Sequence, residues 1–341
     1  MRGRRGLPGP ADTGTRRFVK HGKIVTSGFK PAWWLPGGDL QTLWPYFFRR
    51  KTHIDLVRER LELPDGDFVD LCLTANAGAP VVAIFHGLEG CVDSHYVKPL
   101  LAAVERRGWH GVFMHFRGCS GEHNRLPRSY HSGDTGDIGF LLEHLRQRYP
   151  GVPVAAAGYS LGGNALLKYL GEADRAGQVQ AAAAVSVPFV LAEGAKRLRT
   201  GFSRIYQRRL LNLLKRKIAG KFSSLDCPID LTGLRRLNDF FSFDDKVTAL
   251  LHGFTGGDDY YTRSSSRQFL KSINVPALLV HARDDPFMTE DVIPAENELS
   301  KFVHLELAGT GGHIGFVSGR TPGYAVYWLE RRIIEFFDGY L

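Results

Sequence analysis

The chain has 341 residues, 43% of them hydrophobic, 11% aromatic and 23% charged, which supplies a full-sized core and excludes intrinsic disorder as a description of the whole. Lysine and arginine number 44 against 35 acidic residues, and the resulting +9 makes nucleic acid or an anionic membrane surface the partners to weigh. Cys72, Cys91, Cys119 and Cys227 form no C-x-x-C pair, so neither a disulfide framework nor a structural zinc site is expected, and a reducing, cytoplasmic setting is the reading.

The basic N-terminus runs into Ala11-Asp-Thr-Gly-Thr-Arg-Arg17 rather than into an apolar segment, so residues 1–29 read as a flexible arm and not as a signal peptide. Runs at 53–63 and 67–74, separated by Pro64-Asp65-Gly66, predict an antiparallel hairpin. From there apolar runs alternate with amphipathic ones. Buried strands are expected at 81–85, 111–116, 152–157, 181–187, 277–280 and 302–307, with helices at 97–107, 135–148, 161–170 and 324–337. This is the signature of an α/β fold with a mostly parallel sheet flanked by helices. The longest apolar stretch, 181–192, is broken by Ser186 and Pro188 and is shorter than the roughly 20 residues of a bilayer span.

The alternation fails between Pro188 and Val275, a gap far longer than one crossover helix requires. Residues 189–274 are therefore expected to form a helical cap inserted between the sixth and seventh strands, dividing the core into 30–188 and 275–341. Within the insertion, 196–221 carries Lys196, Arg197, Arg199, Arg204, Arg208, Arg209, Lys215, Arg216, Lys217 and Lys221 and no acidic residue. Leu198, Phe202, Ile205, Leu210, Leu213, Leu214 and Ile218 recur there at near-helical spacing. Such a stretch is either a solvated helix face or a peripheral contact with anionic membrane.

The sharpest motif is Gly158-Tyr159-Ser160-Leu161-Gly162, directly after a predicted strand and opening a predicted helix. A serine on that turn stands clear of the sheet, and small residues two positions either side let strand and helix approach. A serine hydroxyl becomes a nucleophile only beside a base that is itself oriented by a third group. In the order this motif requires, an acid follows a late strand and a histidine follows the last one. Arg283-Asp284-Asp285-Pro286 and Gly309-Thr-Gly-Gly-His313-Ile-Gly315 lie in those places. Pro286 has no N–H and turns the chain out of the sheet, which favours Asp285 over Asp284. His86-Gly87-Leu88-Glu89-Gly90 follows the 81–85 strand, so the N–H groups of Leu88 and Leu161 are the oxyanion-hole candidates. His86 itself reads as structural, and Cys119 as a small residue in a glycine turn. Phe189, Phe240, Phe241 and Phe243 are candidate linings of a substrate pocket, or simply pack the cap onto the core. No zincin H-E-x-x-H and no phosphate-binding glycine loop is present, so no metal and no cofactor is implied. Without a recognition helix or RNA-stacking motif, the +9 charge implies no specific nucleic acid.

With Ser160, Asp285, His313 and the His86-Gly87 turn in this order, the chain resembles an α/β-hydrolase, and more narrowly the YheT-like esterases of the AB hydrolase 4 family. The likeness runs from about residue 30 to the C-terminus. It is carried by Leu40-Gln-Thr-Leu43, His86-Gly-Leu-Glu-Gly90, His115-Phe-Arg-Gly-Cys-Ser-Gly121, Gly158-Tyr-Ser-Leu-Gly-Gly-Asn164, Gly253-Phe-Thr-Gly-Gly-Asp-Asp-Tyr-Tyr261, Asp284-Asp-Pro-Phe287 and Gly312-His-Ile-Gly-Phe316. The resemblance implies a serine carboxylesterase or lipase-like hydrolase with Ser160, Asp285 and His313 as its triad, acting on a small-molecule or lipid-like ester. Thioesterase, acyl-transfer and phospholipase chemistry would use the same triad, and a ligand-binding protein on the same fold is the non-enzymatic rival.

Overall fold

The computed structural model describes residues 22–172 and 178–341. Positions 1–21 of the expected arm lie outside the described residues, and the rest of it is not free. Lys23–Thr26 form an edge strand, β1, and Ile24 donates its N–H to Glu296. The elements that follow are α1 (Gly38–Phe48), β2 (Val57–Glu62), β3 (Phe68–Leu73), β4 (Val81–Phe85), α2 (Val97–Arg106), β5 (His110–Met114), α3 (Gly136–Arg148), β6 (Val154–Tyr159), α4 (Leu161–Gly171) and β7 (Ala181–Val185). Next come α5 (Leu191–Leu198), α6 (Ser203–Lys221), α7 (Phe240–Phe243), a wide helical turn Asp244–Thr248, α8 (Ala249–Leu251) and α9 (Gly257–Ser264). The chain then re-enters the sheet through β8 (Ala277–Ala282) and β9 (Val303–Ala308), makes a short ribbon of β10 (Val317–Ser318) and β11 (Val326–Tyr327), and ends in α10 (Trp328–Phe337). Counting β1, the helical segment lies between β7 and β8 rather than between the sixth and seventh strands.

The sheet has nine strands in the order β1-β9-β8-β7-β6-β4-β5-β3-β2. Only β2 with β3 and β3 with β5 run antiparallel; the other neighbours are parallel. The apolar runs are continuous because both faces are covered. Along β4, Val81, Ala83 and Phe85 pack on one side with Leu141 of α3 and Leu166 of α4, while Val82 and Ile84 pack on the other with Leu100 of α2 and Ile333 of α10. The segment between β7 and β8 has a core of its own, including Leu198, Tyr206, Leu211, Ile218 and Phe243, against which Leu43, Leu88 and Phe287 pack. That contact brings the segment over the ends of β4, β6 and β8, where the loops of a parallel sheet converge.

The basic stretch does not form one solvated face. Lys221 is buried and donates to Asn124 Oδ1 (2.8 Å) and the Arg128 carbonyl (2.6 Å). Lys217 is also turned inward, whereas Arg204, Arg208, Arg209 and Arg216 are exposed.

Candidate active site

Ser160 sits between β6 and α4 at φ 50 and ψ −118, a region that a residue with a side chain seldom occupies. Two close approaches fix the turn. A Cβ on Gly162 would lie 2.4 Å from the His86 carbonyl oxygen, and one on Gly158 would lie 2.6 Å from that of Gly162. The Ser160 N–H donates to the Val185 carbonyl (2.8 Å), which ties the turn to the neighbouring strand end. Asn164, one turn into α4, is fully buried and ties the loop before α3 to the C-terminal end of α9: it donates to Ser132 and Ser264 carbonyls (2.8 Å each) and accepts from Ser266 N–H (3.0 Å).

His313 lies in the loop after β9, with Nε2 3.0 Å from Ser160 Oγ and Nδ1 2.8 Å from Asp285 Oδ2. Asp285 follows β8, is almost fully buried, and uses its other oxygen to accept the Phe287 N–H (2.8 Å). The geometry thus joins Ser160, His313 and Asp285 in one chain of hydrogen bonds. Asp284 takes no part in it. Its Oδ1 accepts the N–H groups of Gly311 (2.8 Å) and Gly312 (2.9 Å), so it braces the loop that carries the histidine. Burial pushes the Asp284 carboxyl up, and these two amides pull it back down.

Several positioning contacts escape a reading of the sequence because they join distant segments. Thr42 Oγ1 on α1 accepts the His313 N–H (2.8 Å) and donates to the Gly38 carbonyl. Gln41, fully buried, accepts the Val317 N–H (2.7 Å) and donates to the Val317 carbonyl (3.0 Å). Ser186 Oγ, after β7, accepts the Ile314 N–H (3.0 Å). The Phe287 ring stacks on the His313 imidazole at 4.0 Å and 2°. Gln41 and Thr42 belong to the Leu40–Leu43 motif and Phe287 to the 284–287 motif, so those strings were the available signal.

In the turn after β4, the N–H groups of Gly87, Glu89, Gly90 and Cys91 donate to Tyr96, Tyr130, Gly87 and Ser94. Among the described residues, the N–H groups of Leu88 and Leu161 have no protein acceptor, and both residues line the cavity beside Ser160. His86 is buried and hydrogen-bonds the Gly87 carbonyl through Nδ1 (2.6 Å), while Nε2 accepts the Phe116 N–H (3.0 Å). Burial holds it neutral, with a pKa of about 3, and it fastens the turn to the end of β5. Cys119 also behaves as a structural residue, its thiol pushed up to about 11 by burial.

The cavity measures about 140 Å³ and runs from Ser160 and His313 into the helical segment, past Leu191, Leu214, Ile218, Phe240 and Phe243. Of the four candidate phenylalanines, Phe240 and Phe243 line it and the other two do not. Phe189 is packed into the sheet core beside His281, because the chain has not yet left the strand end there. Phe241 packs edge-on against the Tyr261 ring (6.1 Å) and is not itself among the lining side chains. One wall of the cavity is polar, with no signal in the sequence motifs: Asp244 Oδ2 accepts the Tyr261 hydroxyl (2.8 Å) and Oδ1 accepts that of Thr248 (2.7 Å). Burial raises the Asp244 pKa to about 6.

A family model for the alpha/beta hydrolase fold matches residues 80–319. The Escherichia coli (strain K12) protein named "Putative esterase YheT" is 44% identical over 89% of this chain and 90% of its own length. The Mus musculus protein named phospholipase ABHD3 is 30% identical over 94% of this chain and 80% of its own. Among solved structures, the Pyrococcus furiosus esterase Pf2001 superposes with a TM-score of 0.56 at 15% identity, covering 94% of this chain and 99% of that one, a likeness of fold.

Proposed function

The chain belongs to the alpha/beta hydrolase family, and from that premise we propose that it is a serine hydrolase that cleaves carboxylic esters through an acyl-enzyme on Ser160. The observation that carries this reading is the unbroken hydrogen-bond chain Ser160–His313–Asp285 at the mouth of an apolar cavity. His313 Nε2 takes the Ser160 proton as Oγ attacks the ester carbonyl, and Asp285 holds the proton on Nδ1, fixing the tautomer and stabilising the imidazolium. The Leu88 and Leu161 N–H groups receive the oxyanion. Collapse expels the alcohol, protonated by His313, and the same base then activates the water that releases the acid. Residues 189–274 cap the site, and the apolar wall through Leu214, Ile218, Phe240 and Phe243 suits an acyl chain of short to medium length or a lipid-like one.

Steady-state hydrolysis of p-nitrophenyl esters of increasing acyl length tests the reading. Ser160→Ala is expected to lose at least about 10³-fold in turnover, given what base and oxyanion assistance are worth together. Undiminished turnover in that variant refutes the assignment. The same series run with acyl thioesters and with phospholipid separates thioesterase and phospholipase activity from simple esterase activity.

Peripheral contact with anionic membrane is the second part of the proposal, favoured by the outward face of α6. There Arg204, Arg208, Arg209 and Arg216 are exposed beside Phe202 (47% exposed) and Ile205 (58%). No helix among the described residues is long and apolar enough to cross a membrane. Co-sedimentation with vesicles is expected to require anionic lipid, and equal partition into neutral vesicles contradicts the contact.

A further inference from the structure

Glu89 follows Leu88 in the turn after β4 and is held at φ 53, a left-handed conformation with no glycine to ease it. Three bonds stabilise it there. Its N–H donates to Tyr130 Oη (2.8 Å), the same hydroxyl donates back to Glu89 Oε1 (2.8 Å), and Lys217 Nζ reaches that oxygen at 2.6 Å. Both ionic side chains are largely shielded, 13% exposed for Lys217 and 9% for Glu89. Tyr130 is itself fixed by stacking on Phe116 at 5.2 Å and 6°. Lys217 comes from α6, lines the cavity together with Leu214 and Ile218 of that helix, and also lies 2.9 Å from Cys119 Sγ, whereas Glu89 does not line the cavity. A buried ion pair is weak evidence for net stability, but removing one partner leaves an uncompensated buried charge.

We propose that Glu89, clamped by Tyr130 and Lys217, is a positioning residue that sets the direction of the Leu88 N–H, so that turnover depends on α6 being seated against the oxyanion turn. The inference rests on the reading of Leu88 as an oxyanion donor. It differs from a purely structural role in what it moves: substrate binding in the ground state needs the cavity, whereas the oxyanion needs the amide direction.

The test measures kcat and KM on one p-nitrophenyl ester for the wild type, Lys217→Met, Glu89→Gln and the double variant, beside thermal melts and fluorophosphonate labelling of the wild type. Lys217→Met and Glu89→Gln are each expected to lower kcat by about ten-fold, short of the 10² to 10³ of losing a donor outright, and in Glu89→Gln, which leaves the cavity lining untouched, KM should change less than two-fold. The double variant is expected to lose no more than the worse single one, because the two residues act as a unit. Should Lys217→Met leave Glu89 unpaired and unfold the protein, the uncharged double variant carries the test. A folded variant lacking the pair with wild-type kcat, or with the loss confined to KM, overturns the clamp. If the wild type itself takes no label and turns over no ester, the hydrolase reading fails instead.

Discussion

Asp284 and Asp285 are adjacent carboxylates with separate tasks, one bracing a loop through backbone amides and the other orienting an imidazole. Asp285→Ala removes the orienting group and is expected to lower kcat by about 10⁴-fold, the scale of losing the acid in such a triad. Asp284→Asn keeps one oxygen for the Gly311 and Gly312 amides and discards a charge that burial disfavours, so kcat should hold within a few-fold. Asp284→Ala strands both amides and should cost about 1–3 kcal/mol of stability for each. Parallel kinetics and urea melts of the three variants decide the matter, and a kcat loss in Asp284→Asn equal to that in Asp285→Ala contradicts it. At the Ser160 turn, Gly162→Ala should not yield native protein, since its methyl would stand 2.4 Å from the His86 carbonyl oxygen.

At the scale of elements, α1 works as a brace for the loop that carries His313. Gln41→Leu removes the acceptor of the buried Val317 N–H, while the Val317 carbonyl keeps the Ala32 N–H, and is expected to lower stability by about 1–3 kcal/mol for the one group left unpaired. Urea unfolding of that variant checks the figure, and an unchanged midpoint contradicts the brace. The two elements hardest to read in the sequence are instructive. The β1 strand is four residues long, and three of its positions are exposed, so no apolar run marks it; it exists because β9 offers an open edge. The α1 helix contains Pro45, begins after Gly37 and carries Leu40, Tyr46, Phe47 and Phe48 exposed, which blurs any amphipathic period. The central strands were legible for the opposite reason, because burial on both faces leaves nothing but apolar residues in β4 and β8 apart from His281. Motif strings located Ser160, Asp285 and His313 along the chain, but no local pattern reports that Thr42 reaches a histidine 271 positions away. Phe189 illustrates the limit at the pocket: one residue beyond Pro188, it remains on the core side.

Across the whole molecule, buried histidines set the response to acid. Burial depresses His86 and His95 to about 3 and His281 to about 4, against an unfolded value of about 6.5. As pH falls below that value, the unfolded chain binds protons that the native state refuses, so stability present at neutral pH is lost on acidification. Asp244, raised to about 6, has the opposite sign, since the native state takes its proton first. Burial lowers His110, His115, His131, His144 and His252 as well, and Asp137 and Asp284 are raised beside Asp244, so eight histidines stand against three carboxyls and the net sign is a loss of stability as pH falls below about 6.5. Urea midpoints should therefore drop steeply between pH 6.5 and 4.5; a flat profile contradicts the buried neutral histidines. The central claim, an activated serine at the head of a capped cavity, is tested most directly by reacting the native protein with a fluorophosphonate and mapping the adduct by intact mass and peptide analysis. The expected result is one adduct on Ser160, absent in Ser160→Ala and slowed in His313→Ala. A folded wild-type protein that takes no adduct contradicts the account and favours a ligand-binding protein on a hydrolase fold, and an adduct formed equally in His313→Ala contradicts the part given to His313.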